Sequence, residues 1–393
     1  MRRNSANKPR YPKYATFGNR RGGNKIPDPI PTHLLIKKAE PVVAEDVYTP
    51  KHRFTDFAVH PQLQQTIASK KYVTPTPIQD QAIPYLLEGR DVVGIANTGT
   101  GKTAAFLIPS INKLLQDRSK KLLIITPTRE LAVQIQQEAF ELTRGMKLYS
   151  TLVIGGVSMH PQKQQLRRNP QIVIGTPGRL TDMQEQGFIR FGEYQSIVLD
   201  EVDRMLEMGF VQPVTRIIKQ LPQERQSMFF SATMSSEIER VMHSVMQNHI
   251  TISVKKRETS NNVDQDVVRV EGRDKMTVLD EVLRSEGFER VIVFGRTKHG
   301  IDKIEKILAR QGHLVTAIHG NKRQNQRQRA LQDFKNGRAT ILLATDVAAR
   351  GLDIPDVSHV INYDHPATYQ EYVHRIGRTG RANKKGTALT FVD

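Results

Sequence analysis

Val92-Val93-Gly94-Ile95-Ala96-Asn97-Thr98-Gly99-Thr100-Gly101-Lys102-Thr103 is an apolar run that empties into a glycine-rich turn and then into a helical pattern. It reads as a buried strand, a loop that cradles phosphates and a helix N-terminus. Gly99 and Gly101 let backbone N–H groups face a phosphate tail, which the helix dipole also favours, and Thr98 and Thr100 fill out the loop. Lys102 is spaced to reach β- and γ-phosphates as a point charge, and Thr103 to hold Mg²⁺ through its hydroxyl. The strict form G-x-x-x-x-G-K-[ST] asks for Gly at position 96, where this chain has Ala96.

Upstream of the loop, Tyr72-Val73-Thr74-Pro75-Thr76-Pro77-Ile78-Gln79 leads into an apolar segment, and the Gln79 amide has the donors and acceptor that read an adenine edge. Downstream, strands alternate with helical stretches at the spacing of a parallel α/β sheet. Leu122 to Ile125 ends in Pro127-Thr128-Arg129, Leu152 to Ile154 ends in Gly155-Gly156, and Ile172 to Ile174 runs into Thr176-Pro177-Gly178-Arg179. In such sheets ligands gather at the carboxyl ends of strands, and these tips suit phosphates. Ile197-Val198-Leu199 delivers Asp200-Glu201-Val202-Asp203, in which Asp200 fits a Mg²⁺ shell and Glu201 the polarisation of an attacking water. Ser231-Ala232-Thr233 offers two hydroxyls at one more strand end.

The chain has 393 residues and a formal charge of +18, which favours a polyanionic partner. Residues 1 to 38 hold ten Lys/Arg against the single Asp28, with Tyr11, Tyr14 and Phe17 interleaved and no helical or strand period. A disordered basic N-terminal tail over 1–50 is expected, able to hold single-stranded RNA through phosphates and stacking. No apolar run is long enough to span a membrane, and the absence of Cys excludes disulfides. A cytoplasmic location fits both.

Residues 255–262 break the apolar pattern and read as a linker between residues 51–254 and 263–393. The second block repeats the α/β pattern from Val291 onward without a phosphate loop of its own, so it must act on the nucleotide of the first. Its strand tips carry His319-Gly320, Gln324 with Arg327, Thr345-Asp346 through Asp353, and His374-Arg375-Ile376-Gly377-Arg378-Thr379-Gly380-Arg381. The chain ends twelve residues after Arg381, and no C-terminal specificity domain is expected.

These ordered motifs resemble those of the DEAD-box RNA helicases, from about Phe54 to the C-terminus; Ala96 is normal in that family. The resemblance implies an α/β fold of two RecA-like domains, each a mainly parallel sheet flanked by helices. It implies an RNA-stimulated ATPase that uses ATP and Mg²⁺ and binds single-stranded or short duplex RNA across the interdomain cleft, acting as a monomer with no membrane partner. Phe54, Gln79, the loop from Thr98 to Thr103 and Asp353 would bind the nucleotide, and Arg378 and Arg381 would be arginine fingers beside Lys102, Asp200 and Glu201. The resemblance assigns RNA to Pro127, Thr128, Arg129, Gly155, Gly156, Thr176 to Arg179, Gly320, Gln324, Arg327, Thr345 and Asp346. Coupling between domains falls to Asp203, Ser231, Thr233 and His374. Two departures stand out: Val202 where the family usually has Ala, and Lys71 where Gly is usual, each expected to add bulk to a packed site. An ATP-gated RNA clamp with little unwinding carries the same motifs.

Overall fold

The computed structural model describes residues 30–39, 48–97, 99–246, 248–254, 262–349, 354, 357–380 and 385–393. Thr98, Asp353 and Arg381, with residues 1–29, 40–47 and all of the linker except Asn262, lie outside the described residues.

The first domain is built on seven strands: β1 (Val92–Ala96), β2 (Leu122–Ile125), β3 (Ser150–Val153), β4 (Ile172–Gly175), β5 (Ser196–Leu199), β6 (Gln226–Ser231) and β7 (Ile250–Val254). Their order is β3-β4-β2-β5-β6-β1-β7, and every pairing is parallel. Apolar side chains point to both faces because helices cover both, so β2 and β5 read as unbroken apolar runs rather than alternating ones. One core cluster holds Phe106, Ile124 and Phe230, and the other holds Leu123, Ile197 and Phe229.

This order sorts the strand tips. The tips of β3, β4 and β2, with Gly155, Thr176 and Thr128, stand side by side at one end of the sheet. Those of β5, β6 and β1, with Asp200, Ser231 and the phosphate loop, stand together nearer the other end. A single sheet thus offers two adjacent polar rows, one beside the loop and one away from it.

The second sheet comprises β8 (Val263–Arg269), β9 (Val291–Phe294), β10 (Val315–Ile318), β11 (Ile341–Ala344), β12 (His359–Asn362) and β13 (Gly386–Val392). Its order is β10-β11-β9-β12-β13-β8, again parallel throughout. The edge strands β7 and β8 were not marked as strands by the sequence reading. Both are half solvated and mix polar with apolar residues, so neither carries the continuous run that marks the central strands.

The N-terminal segment departs from the expectation of an unstructured tail through residue 50. Residues 30–39 lie on the second domain, where Leu35 is 0% and Ile30 8% exposed in a cluster with Val263, Tyr372 and Ile376. Lys37 makes an antiparallel bridge to Gln265, with N–H to C=O distances of 3.0 and 2.7 Å, and Ala39 N–H donates to Asp264 Oδ1 at 2.9 Å. Burying Leu35 stabilises by about 1.5–3 kcal/mol, enough to order a short stretch that its basic neighbours hide in any composition count. The chain next appears on the first domain, where the Asp80 carboxylate accepts hydrogen bonds from Tyr48 Oη and from the backbone N–H of Lys51 and His52.

Lys71 is solvent-exposed with φ 57°, the left-handed region that Gly enters freely. This departure therefore adds no bulk to a packed site; its cost is backbone strain of about 1 kcal/mol.

Candidate nucleotide and nucleic-acid cleft

The phosphate loop leaves β1 and enters the helix Lys102–Gln116 at Gly101, whose φ of 89° only Gly adopts without strain. A Cβ there would also fall 2.4 Å from Gln79 Nε2, because Gln79 packs on the loop. Gln79 Nε2 donates to Gly101 O at 3.0 Å, and its Oε1 accepts from Thr76 N–H at 2.9 Å. The amide thereby ties the upstream stretch to the loop. Lys102 Nζ donates to Ala96 O at 2.8 Å and is 7% exposed, so the ammonium lies folded into the loop it guards.

Asp200 and Glu201 follow β5. Glu201 sits at φ 54° as the first residue before the helix Val202–Glu207, a left-handed backbone that costs about 1–3 kcal/mol and swings its carboxylate towards the loop. Burial pushes the Asp200 carboxyl up to about 6, against the pull of the Lys102 charge. Burial also acts to raise Glu201, but Arg204, Lys102 and Arg378 together outweigh it and hold that carboxyl below its ordinary value. Arg204 makes a buried ion pair with Glu201 one helical turn away, a partner that sequence reasoning passed over as part of an ordinary helix.

The Asp203 carboxylate receives Ala232 N–H at 3.1 Å and Thr233 N–H at 3.2 Å, while Ser231 Oγ accepts Asp203 N–H at 3.3 Å. The two strand tips are thus clasped together. His374 lies elsewhere, on the helix Tyr369–Ile376 of the second domain, and its carbonyl accepts from Arg378 Nε at 3.3 Å. Beside Asp203 in the first domain, Val202 is buried among Met205, Phe229 and Ile238. Val202→Ala is expected to lower stability by about 0.5–1.5 kcal/mol through the small cavity it leaves, with turnover kept. Thermal melts paired with ATPase rates check this, and a large loss of rate at unchanged stability would contradict it.

A cavity of about 380 Å³ opens beside the loop, lined by Gln79, Gly99, Lys102, Thr103, Asp200 and Glu201. Tyr72, Glu138 and Lys335 also border it, and none of these three was singled out from the sequence as a site residue. Phe54 does not line it: the ring is buried and tilts against Tyr72 at 5.4 Å. Lys335 belongs to the second domain, so the cavity is closed by both.

The second polar row is basic. The Arg129 guanidinium lies against the Gly155-Gly156 turn, where a Cβ on Gly156 would fall 2.0 Å from Arg129 Nη1. Arg179 donates to Val157 O at 3.3 Å, and Gly178 is exposed in the first turn of the helix Pro177–Glu185, which follows Thr176. Thr128 caps the helix Arg129–Leu142 by accepting Leu131 N–H at 3.3 Å, and Pro127 is buried next to it. Burial lowers Arg179, opposed by Asp182 and reinforced by the charge of Arg129. Arg327 is lowered likewise, by burial first and by Arg129 too, with Glu130 opposing. Arg129 therefore repels one guanidinium on its own domain and one on the other, a crowding that an anion would relieve.

Gln324 and Arg327, assigned to RNA by resemblance, also meet Glu130 across the cleft: Gln324 Nε2 donates to Glu130 Oε1 at 3.0 Å and Arg327 Nη2 pairs with Oε2 at 2.9 Å. Asp346 holds Arg375 with two bonds of 2.6 and 2.7 Å, and Arg375 further donates to Asp364 O at 2.6 Å, so this carboxylate braces the helix Tyr369–Ile376. Gly320 is exposed beside His319, whose ring bonds Asp302 at 2.9 Å, and Thr345 is half-buried at the end of β11.

Family models match in order: a DEAD/DEAH box helicase domain over residues 76–241 and a helicase conserved C-terminal domain over residues 274–383. The chain is 43% identical to the ATP-dependent RNA helicase CshA of Listeria monocytogenes over 86% of this chain and 66% of that protein. It is 41% identical to the DEAD-box ATP-dependent RNA helicase CshA of Bacillus subtilis over 86% of this chain and 69% of that protein. The chain thus spans about two thirds of the length of these relatives. Saccharomyces cerevisiae Dbp5 bound to RNA and ADP BeF3 superposes with a TM-score of 0.75 at 32% identity, covering 86% of this chain and 89% of that one. Mss116p bound to ssRNA and AMP-PNP gives 0.78 at 27% identity, covering 91% and 77%. Two RecA-like domains, a phosphate loop facing paired carboxylates and both family models in sequence lead to one conclusion: this chain belongs to the DEAD-box helicase family.

Proposed function

We propose that the chain is an ATP-dependent RNA helicase that grips single-stranded RNA across its cleft and opens short duplexes as it hydrolyses ATP. The observation that carries the reading is the position of Arg378, on the second domain, close enough for its charge to help hold the Glu201 carboxyl of the first domain below its ordinary value, and so ionised. A catalytic centre assembled from two bodies works only when they meet, and the basic row of Arg129, Arg179 and Arg327 is the part that RNA would draw together.

In this reading the phosphate loop and Lys102 hold the triphosphate of ATP, and Gln79 faces its base. Glu201, kept ionised by its cationic neighbours, accepts a proton from the attacking water. Arg378 and, by resemblance, Arg381 steady the charge that spreads over the transferring phosphoryl group, while Asp353 would hold the nucleotide from the second domain. The residues fit Mg²⁺: Thr103 borders the cavity, and the desolvated Asp200 carboxyl lacks the full counter-charge that would keep it ionised without strain. When bound, Mg²⁺ supplies neutralisation of phosphate charge. Asp203, clasped to Ser231 and Thr233, transmits the fit of the nucleotide to the strand tips beside it. A monomer at work in the cytoplasm, where ATP and RNA are both met, belongs to the same proposal. Among the described residues no helix is long and apolar enough to cross a membrane.

The test is release of a labelled strand from a short RNA duplex carrying a single-stranded overhang, against the same duplex in DNA. ATP-dependent release from RNA and none from DNA is expected, since ribose 2′-hydroxyls distinguish the two. RNA-stimulated turnover with no strand release would replace this reading by the ATP-gated clamp.

A further inference from the structure

The geometry points to a second covalent tether between the two domains, formed by the N-terminal segment. The linker at residues 255–261 is one connection between them. The other begins at residues 30–39, which are anchored on the second domain by the buried Leu35, by the backbone exchange between Lys37 and Gln265 and by the bond from Ala39 to Asp264. It ends at Tyr48 to His52, anchored on the first domain by three bonds into the buried Asp80 carboxylate. Residues 40–47 join the two anchors, and a chain of that length cannot span more than about 32 Å however it runs.

A single linker lets two bodies swing through a wide cone. A second connection at a different place removes the orientations that exceed either length limit, because both must be met at once. The anchors also sit where restraint matters. Gln265, which the strap pairs with, accepts a hydrogen bond from Tyr372 Oη at 3.0 Å, and Tyr372 lies on the helix that leads to Arg378. Asp80 follows Gln79, which is bonded to the phosphate loop. The strap therefore links the body of the second domain that carries Arg378 to the part of the first that holds the loop. It sets a limit of about 32 Å on how far Ala39 and Tyr48 can part as the cleft opens, and this restraint is independent of whether the enzyme unwinds RNA or clamps it.

The chain has no Cys, so Glu185→Cys and Arg310→Cys, both at exposed positions on different domains, give a clean dye pair. Single-molecule energy transfer on the full ligand-free chain reads the interdomain distance directly. Two perturbations are made separately. Leu35→Asp expels the strap from its apolar pocket; a protease site placed within residues 40–47 and cut after folding breaks the connection while leaving Leu35 itself untouched. Both are expected to broaden the distribution and move it to longer distances, with the uncut protease-site chain matching the parent. An unchanged distribution in the cut chain would overturn the tether, as would an unchanged one in a folded Leu35→Asp chain. Should Leu35→Asp fail to fold, the cut chain decides alone.

Discussion

Lys102→Ala will cut RNA-stimulated ATP turnover by about 10³-fold or more, since a preorganised donor aimed at developing phosphate charge is worth about 10²–10³ on its own and this one also grips the substrate. The fold will survive. The spacing of the loop aims this ammonium at phosphates, and the structure buries it to 7% exposure with a bond to Ala96 O, so its removal is not free. It takes a cation from beside two buried carboxylates, and Asp200, already pushed up to about 6 by burial, loses the charge that opposes the push. A loss of about 1–2 kcal/mol follows, or a melting point a few degrees lower for a domain of this size. Turnover and thermal melt should be measured on the same preparation. RNA-dependent turnover that persists would remove the phosphate loop from the mechanism.

Arg378→Lys is the second change with a large expected effect, and it falls on coupling rather than on binding. Arginine fingers are worth about 10³–10⁵ in rate. Lys keeps the charge that depresses Glu201 but loses the planar fork and the Nε bond to His374 O that aims it. RNA-stimulated turnover should fall by about 10³-fold while ATP affinity without RNA stays nearly level, because Gln79, Lys102 and Thr103 all belong to the first domain. Equilibrium ATP binding alongside turnover with and without RNA separates the possibilities. If basal and stimulated rates drop by one common factor, or if ATP binding collapses, the second domain is not a gate.

Much of this was legible in the chain because local pattern and tertiary role coincide there. β1, β2, β5, β9 and β11 are short apolar runs flanked by motif residues, and each lies in the middle of its sheet where both faces are covered. The loop and the Asp200 turn are legible for the same reason: their chemistry is local. What escaped depends on approach. Glu130 looks like an ordinary N-terminal helix residue until the second domain brings Gln324 and Arg327 to it. Tyr72 and Lys335 join one cavity from positions far apart in the chain. Lys71 shows only through its backbone angle that its departure is a matter of strain and not of bulk. Leu35 belongs to the three-residue run Leu34-Leu35-Ile36, too short to set a period, and nothing in it marks Leu35 as the buried member between two exposed neighbours.

The strap also sets an order of events during synthesis. Ile30 and Leu35 leave the ribosome before either domain exists, yet the surface that buries them includes Val263, Tyr372 and Ala388. At about 5–20 residues per second, the wait between Leu35 and Gln265 alone is on the order of 10–50 s. A segment made before either domain is thus among the last to be placed, and a nascent chain halted before Ala388 would leave both residues without their complete pocket.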